Sequence, residues 1–292
     1  MQGISDVCIH VLAEDFAGYS SRFWAQHGIS FFIEMKMGLE EHRILFDTGN
    51  HAEPVLFNAQ MLALDLGSLE SIVLSHSHYD HTGGLLGVLE KMGKEVNVIA
   101  HPDIFKESYA VGKETRYIGP PMDMRERAET LGARWILRRE PWKILPGVWT
   151  LGEILNGNRV DYEVMKSTGV FMKKDNQYLP DFMEDEIGLA MITEGGLVVV
   201  GGCSHPGIVG MVKRAVEITG MKDVRAVIGG FHLVNASEKR IKRTVRDLLD
   251  MGVKEIYTGH CTGLRAECEF SEAFGDKFHK LHAGMSINLS ER

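Results

Sequence analysis

Ten residues constrain this chain more than any other feature. They are Ser75-His76-Ser77-His78-Tyr79-Asp80-His81-Thr82-Gly83-Gly84, set directly behind the apolar run Ile72–Leu74. Positions 76–81 read H-x-H-x-D-H, so three imidazoles and a carboxylate crowd into six residues. That donor mixture suits a borderline or moderately hard divalent ion. In a loop, side chains at i and i+2 can converge on one ion while Asp80 and His81 turn toward a second. Two ions ~3.5–4 Å apart are what two-metal hydrolytic sites use to polarise a substrate and generate hydroxide.

A site of that kind needs further ligands from distant sequence, and each candidate follows an apolar strand. Cys203 and His205 follow Leu197–Val200 in GGCSHPG, His232 follows Val224–Ile228 in GGFHL, and His260 follows Glu255–Tyr257 in TGHCTG. A histidine at the end of a strand, in glycine-rich surroundings, stands where a sheet presents side chains to a rim. Any one of them alone is as often structural as functional. Three with the same context are better explained by one shared site. His10, His42, His51, His101, His279 and His282 lack that context and read as surface or hydrogen-bonded core residues.

The periodicity predicts an α+β fold. Strands are expected at Gly28–Met37, Arg43–Phe46, Ser71–Leu74 and Val96–Ala100, with helices over Pro54–Leu64 and Gly84–Lys91. The last third repeats the alternation. A hairpin of Gly188–Thr193 and Gly196–Val200 is followed by a helix at Ile208–Ile218 and a strand at Val224–Ile228. Next come a helix capped by Ser237, with Ile241, Val245, Leu248 and Leu249 on one stripe, and strands at Glu255–Tyr257 and Ser286–Leu289. Strands and helices in both halves suggest two mixed sheets packed face to face with helices outside, in one domain spanning 1–292. Residues 103–184 differ, holding a helix at Met124–Leu131, short strands near 135–137 and 148–151, and a polar stretch, Asn156–Glu184. That insertion reads as loop and as a candidate active-site cover.

Composition narrows the partners. Of 292 residues, 32 are Lys or Arg and 40 Asp or Glu, a net charge of −8 that argues against a broad nucleic-acid face. The N-terminus has no basic lead or apolar core of signal-peptide length, and no run approaches the ~20 apolar residues of a membrane helix. Four cysteines without C-x-x-C spacing fit reduced thiols in a cytoplasmic protein.

The motifs Leu45-Phe46-Asp47-Thr48-Gly49, LSHSHYDHTGG and a late Gly-His resemble the metallo-β-lactamase superfamily. With His27-Gly28-Ile29-Ser30, GGCSHPGIV, GGFHL and GHCTG, the chain resembles the branch of 7,8-dihydropterin-6-methyl-4-(β-D-ribofuranosyl)aminobenzene-5′-phosphate synthases. The resemblance implies an αββα sandwich with two divalent ions on one edge, zinc first, with iron or manganese as alternatives. It implies that His76 and His78 hold one ion, that Asp80, His81 and His260 hold the other, and that Asp47 steadies the loop. Two departures stand out. Asp185-Glu186 replaces a common Pro-Gly-His segment, and Cys203 stands where a bridging Asp is usual. His205 is therefore expected to complete the first shell, with Cys203 or Glu186 as alternatives. Asp80 and His232 are the catalytic candidates, His232 for substrate contact or proton donation at the rim.

The reading favoured here is a dinuclear hydrolase of a phosphoester or related small molecule, acting through metal-activated hydroxide. Lys173, Lys174 and Arg265 are candidates to meet phosphate. The alternatives are displacement of diphosphate from a dihydropterin by an arylamine, as the synthase branch implies, a nuclease, or a non-hydrolytic di-iron or ligand-binding protein.

Overall fold

The structure is a computed structural model that describes residues 4–154 and 169–290. Two seven-stranded sheets form its centre. The first runs, in spatial order, Ser286–Asn288, Asp6–Ala13, Ser30–Met37, Glu40–Phe46, Ser71–Val73, Val96–Ala100 and Ala133–Leu137. The second runs Phe278–Lys280, Glu255–Gly259, Val224–Gly230, Gly196–Val200, Leu189–Thr193, Val148–Thr150 and Lys143–Leu145. Both are mixed, antiparallel at one side and parallel at the other.

Alternation along each strand sends successive side chains to opposite faces. Phe31 and Ile33 enter the core between the sheets while Phe32 faces the outer helices. In the second sheet Val198 and Val200 point inward, and Leu197 and Val199 pack outward. Burial on both faces is why these strands read as unbroken apolar runs. Helices Ala52–Met61, Leu85–Met92 and Met124–Thr130 cover the first sheet. Helices Ile208–Thr219, Glu238–Asp250 and Leu264–Phe274 cover the second. The layers are helix, sheet, sheet, helix, as the sequence led us to expect.

The parallel strands set the site. Val73, Val200, Gly230 and Gly259 each end a strand, and the segments that follow them carry every candidate ligand except Glu186. Ligand sites in parallel sheets lie beyond the carboxyl ends of the strands.

One element differs from the sequence reading. Part of the polar stretch expected as loop forms a hairpin, Val170–Lys174 with Gln177–Pro180, joined to Glu107–Val111 and Thr115–Tyr117 in a small third sheet. Lys174 pairs with Gln177 across Asp175-Asn176, whose φ values are 49° and 60°. Two left-handed residues make the tight hairpin turn that matches strand twist. Both strands are half-buried or exposed along their length, so no in–out alternation marked them. Residues 156–168 of the stretch lie outside the described residues.

Candidate metal centre

The ligand loop begins at Ser75 and is fastened by Asp47. One Asp47 oxygen accepts the Ser75 backbone N–H at 2.6 Å, and the other accepts the Ser75 hydroxyl at 2.7 Å. The second oxygen also lies 2.7 Å from His81 Nδ1. Asp47 is fully buried and sits at φ 58°, a backbone region that costs ~1 kcal/mol or more for a non-glycine residue. Ser204, His232 and His260 share it, at φ 60°, 46° and 50°. Such backbone strain is concentrated at functional sites, and these four residues lie in or beside the donor cluster.

Two donor sets converge. His76, His78 and His205 bring ring nitrogens within 4.8 Å of one another. Asp80, His81, Cys203 and His260 form a second set on the same criterion. Asp80 Oδ2 lies 3.4 Å from His81 Nε2 and 3.3 Å from His260 Nε2, and Cys203 Sγ lies 3.3 Å from both nitrogens. Donors bound tetrahedrally at about 2.0–2.1 Å stand ~3.3 Å apart, so the second set already has the spacing of a coordination shell. Cys203 also groups with His205 and His232, which places its sulfur between the two sets.

His76, His205 and His260, like His81, are each turned by a partner behind the ring. His205 Nδ1 lies 2.6 Å from a Glu186 oxygen that also accepts the His205 N–H, and the other Glu186 oxygen accepts the Ser204 N–H. His260 Nδ1 lies 2.6 Å from Asp15, and Ser75 Oγ lies 2.9 Å from His76 Nδ1. Carboxylates in this position fix the tautomer of metal-binding histidines and direct the other nitrogen forward. Glu186 therefore supports His205 and belongs to neither donor set. His76 Nε2, His78 Nε2 and His232 Nδ1 are buried without a hydrogen-bond partner. An unsatisfied buried polar atom costs about 1–3 kcal/mol, and an ion would satisfy the first two. The donor types, spacing and orphaned nitrogens all fit a metal centre.

The electrostatics of the two sets differ. Burial, reinforced by neighbouring imidazoles, pushes His76 and His205 well below the usual histidine range and His78 down to about 3. Burial opposes charge on His81 too, but the carboxylates of Asp80 and Asp47 outweigh it and raise that ring to about 10.

Other candidates lie elsewhere. Lys173 pairs with Glu107 on the small sheet, and Arg265 borders a groove between the outer helices with Glu238 and Leu264. Neither joins a donor set, and Lys174 is exposed on the hairpin. A largely buried cation near the ligand loop, Lys106, is one the sequence did not single out. Lys106 pairs with Asp181 at 2.8 Å and Asp185 at 2.6 Å, and Asp185 accepts the Ser77 N–H at 2.9 Å. Asp15, behind the His260 ring, and Glu14, which accepts the His260 N–H, were not singled out either, because two acids in AEDF carry no spacing signal.

Comparison with known proteins places this architecture. Residues 42–131 match the family described as Beta-lactamase superfamily domain. Over 287 residues, 98% of each chain, the sequence is 47% identical to a 7,8-dihydropterin-6-methyl-4-(β-D-ribofuranosyl)-aminobenzene-5′-phosphate synthase of Methanocaldococcus jannaschii. An uncharacterised protein of that organism is 32% identical over 268 residues, 92% of this chain and 95% of its own. A crystal structure described as a metal-dependent hydrolase of the β-lactamase superfamily superposes with a TM-score of 0.80 at 28% identity, covering 98% of this chain and 100% of that one. The synthase corrects the hydrolase reading. The site residues alone could not have made that distinction, because one metal cluster can activate either water or an oxygen leaving group. The chain belongs to the β-lactamase superfamily, in the family of the Methanocaldococcus jannaschii dihydropterin–aminobenzene phosphate synthase.

Proposed function

We propose that the protein is a metal-dependent transferase. It joins the 6-methylene of a 7,8-dihydropterin to an aromatic amine carrying a ribofuranosyl phosphate, with diphosphate as the leaving group. The observation that carries this reading is the 47% identity to the synthase across 98% of both chains.

In this reading His76, His78 and His205 hold one ion and Asp80, His81 and His260 hold the other, with Cys203 between them. Zinc is the first choice, since imidazole, carboxylate and thiolate together suit it. When bound, the ions supply concentrated positive charge that binds and polarises an oxygen-rich leaving group. The chain's own residues do the rest. Asp47, Glu186 and Asp15 keep the Nδ1 protons of His81, His205 and His260 pointing away from the centre. His232, with its ring 4.3 Å from that of His205, is the residue proposed to touch substrate. The small sheet is proposed as the cover of a single-domain protein. It is tied to the ligand loop, where Ile118 O accepts the Tyr79 N–H at 3.0 Å. Among the described residues no helix is long and apolar enough to cross a membrane, and the four thiols are free. A cytoplasmic site of action is part of the proposal.

The test is to supply metal-replete protein with a dihydropterin diphosphate and the aminobenzene phosphate. Mass spectrometry is expected to show the coupled product. Consumption of the diphosphate with no amine incorporated would contradict the reading.

A further inference from the structure

His27 stands outside both donor sets, yet it is aimed at them. Together with Asp15 it flanks the segment joining strands Asp6–Ala13 and Ser30–Met37. Asp15 spans two imidazoles, with Oδ1 2.7 Å from His27 Nδ1 and Oδ2 2.6 Å from His260 Nδ1. One carboxylate thus places the proton of both rings on Nδ1 and leaves the Nε2 lone pairs facing forward. His260 Nε2 faces Asp80 and Cys203. His27 Nε2 lies 3.4 Å from Asp80 Oδ2, the oxygen that also faces His81 and His260.

Two features separate His27 from the ligands. Its side chain is 49% exposed, whereas those of His81 and His260 are 0% and 1% exposed. Its nitrogens gather with Asp15 and His260, but not with the set of Asp80, His81, Cys203 and His260. It is an imidazole on the rim, open to a bound molecule. The backbone keeps it there. Gly28 has φ +115°, and a Cβ at that position would come 1.9 Å from the Asp80 carbonyl oxygen, so the chain presses directly against the ligand loop. The Tyr79 ring lies 6.1 Å from that of His27, and the Arg116 guanidinium lies 5.6 Å from Tyr79. An aromatic ligand arriving at His27 meets a flat partner beside it.

We propose that His27 receives the amine nucleophile. Its Nε2 accepts a hydrogen bond from the aromatic amine and then takes the proton, while Asp15 is the positioning residue that holds the ring. This rests on the transferase reading above. The amine lone pair forms the C–N bond to the pterin methylene. The methylene C–O bond breaks, and its electron pair leaves with diphosphate. The proton shed by nitrogen passes to His27 Nε2. Neither ligand set supplies such an acceptor, since the forward nitrogens of their histidines are turned toward metal.

The experiment compares metal-loaded wild-type, His27→Ala and His27→Gln proteins. It reads metal content, calorimetric binding of 4-(β-D-ribofuranosyl)aminobenzene 5′-phosphate, and single-turnover product formation. Both variants are expected to keep wild-type metal content and to bind the amine about tenfold more weakly, the loss of one hydrogen bond. Product formation is expected to fall by about 10²–10⁴-fold, as for loss of a proton-transfer group. Added imidazole should restore part of the rate to His27→Ala, which leaves space for it, and little to His27→Gln. Loss of a metal equivalent in either variant would make His27 a ligand and overturn the proposal. Wild-type amine binding and turnover in both variants would overturn it too, leaving the transferase reading intact. Failure of the wild-type protein itself to bind the amine would sink both.

Discussion

The two halves of the metal centre face each other across Cys203 but are built on different principles. The half formed by His76, His78 and His205 is all imidazole, and burial keeps its rings neutral with lone pairs available. The half formed by Asp80, His81 and His260 carries a carboxylate in the shell and further carboxylates behind it. An ion held by the first would meet little charge compensation from the protein and keep most of its attraction for an anionic ligand. An ion held by the second would be neutralised further, beside the exposed rim at His27. In the proposed transferase this difference would divide the labour, with leaving-group capture at the imidazole half and nucleophile delivery at the carboxylate half.

The largest effect expected from breaking that comparison is at His205. His205→Ala removes one of three imidazoles, so elemental analysis should show about one metal equivalent lost, with the Asp80 half retained and product formation abolished. Unchanged stoichiometry and affinity would remove His205 from the shell. Cys203→Ser comes next and should weaken both halves at once. In cobalt-substituted protein the sulfur-to-metal charge-transfer band should disappear, and persistence of that band would place the thiolate elsewhere.

Substitution of the supporting carboxylates sharpens the contrast. Glu186→Gln is expected to weaken metal binding about 10–100-fold at the imidazole half alone, and Asp15→Asn, which loosens His260, by a similar factor at the other half alone. Chelator competition followed by metal analysis checks this. Equal loss at both halves from either variant would show that they do not act separately.

The smallest effect concerns pH. Burial alone would raise Asp185, but the Lys106 ammonium outweighs it and holds the carboxyl down to about 2. A folded-state value below the unfolded one contributes stability that is fully present above about pH 4 and lost as pH falls through about 2. That contribution is about 2 kcal/mol. Lys106→Met should abolish it and, by leaving Asp185 buried and unpaired, destabilise the protein by about 3 kcal/mol at neutral pH. Urea unfolding of both proteins between pH 3 and 7 measures this. Parallel stability curves would exclude the pair as the cause.

Much of this site was legible in the chain. His76, His78, Asp80 and His81 announce themselves because four donors must come from one loop, and Cys203, His205 and His260 because each follows an apolar strand into glycine. The supporting groups were less visible. Asp15 meets His260 across 245 positions of sequence, and Glu186 meets His205 across the hairpin of Leu189–Thr193 and Gly196–Val200 rather than within a shared motif. Glu186 stood as an alternative ligand until its oxygens were seen to accept the Ser204 and His205 N–H groups. The hairpin at Val170–Pro180 was hidden because both of its faces are polar or partly exposed, which removes the period-2 signal. The reaction was the least legible feature. In the proposed transferase the nucleophile is chosen at the rim by His27, whereas the motifs that stand out in sequence belong to the donor cluster and are common to many chemistries of one fold.

The fate of the solvent oxygen tests the central claim most directly. Metal-replete protein is supplied with dihydropterin diphosphate and ¹⁵N-labelled aminobenzene phosphate in H₂¹⁸O. A transferase predicts ¹⁵N bonded to the pterin methylene and diphosphate free of ¹⁸O. Appearance of ¹⁸O in a hydroxymethylpterin or in the released phosphate, with ¹⁵N left in unreacted amine, would contradict it.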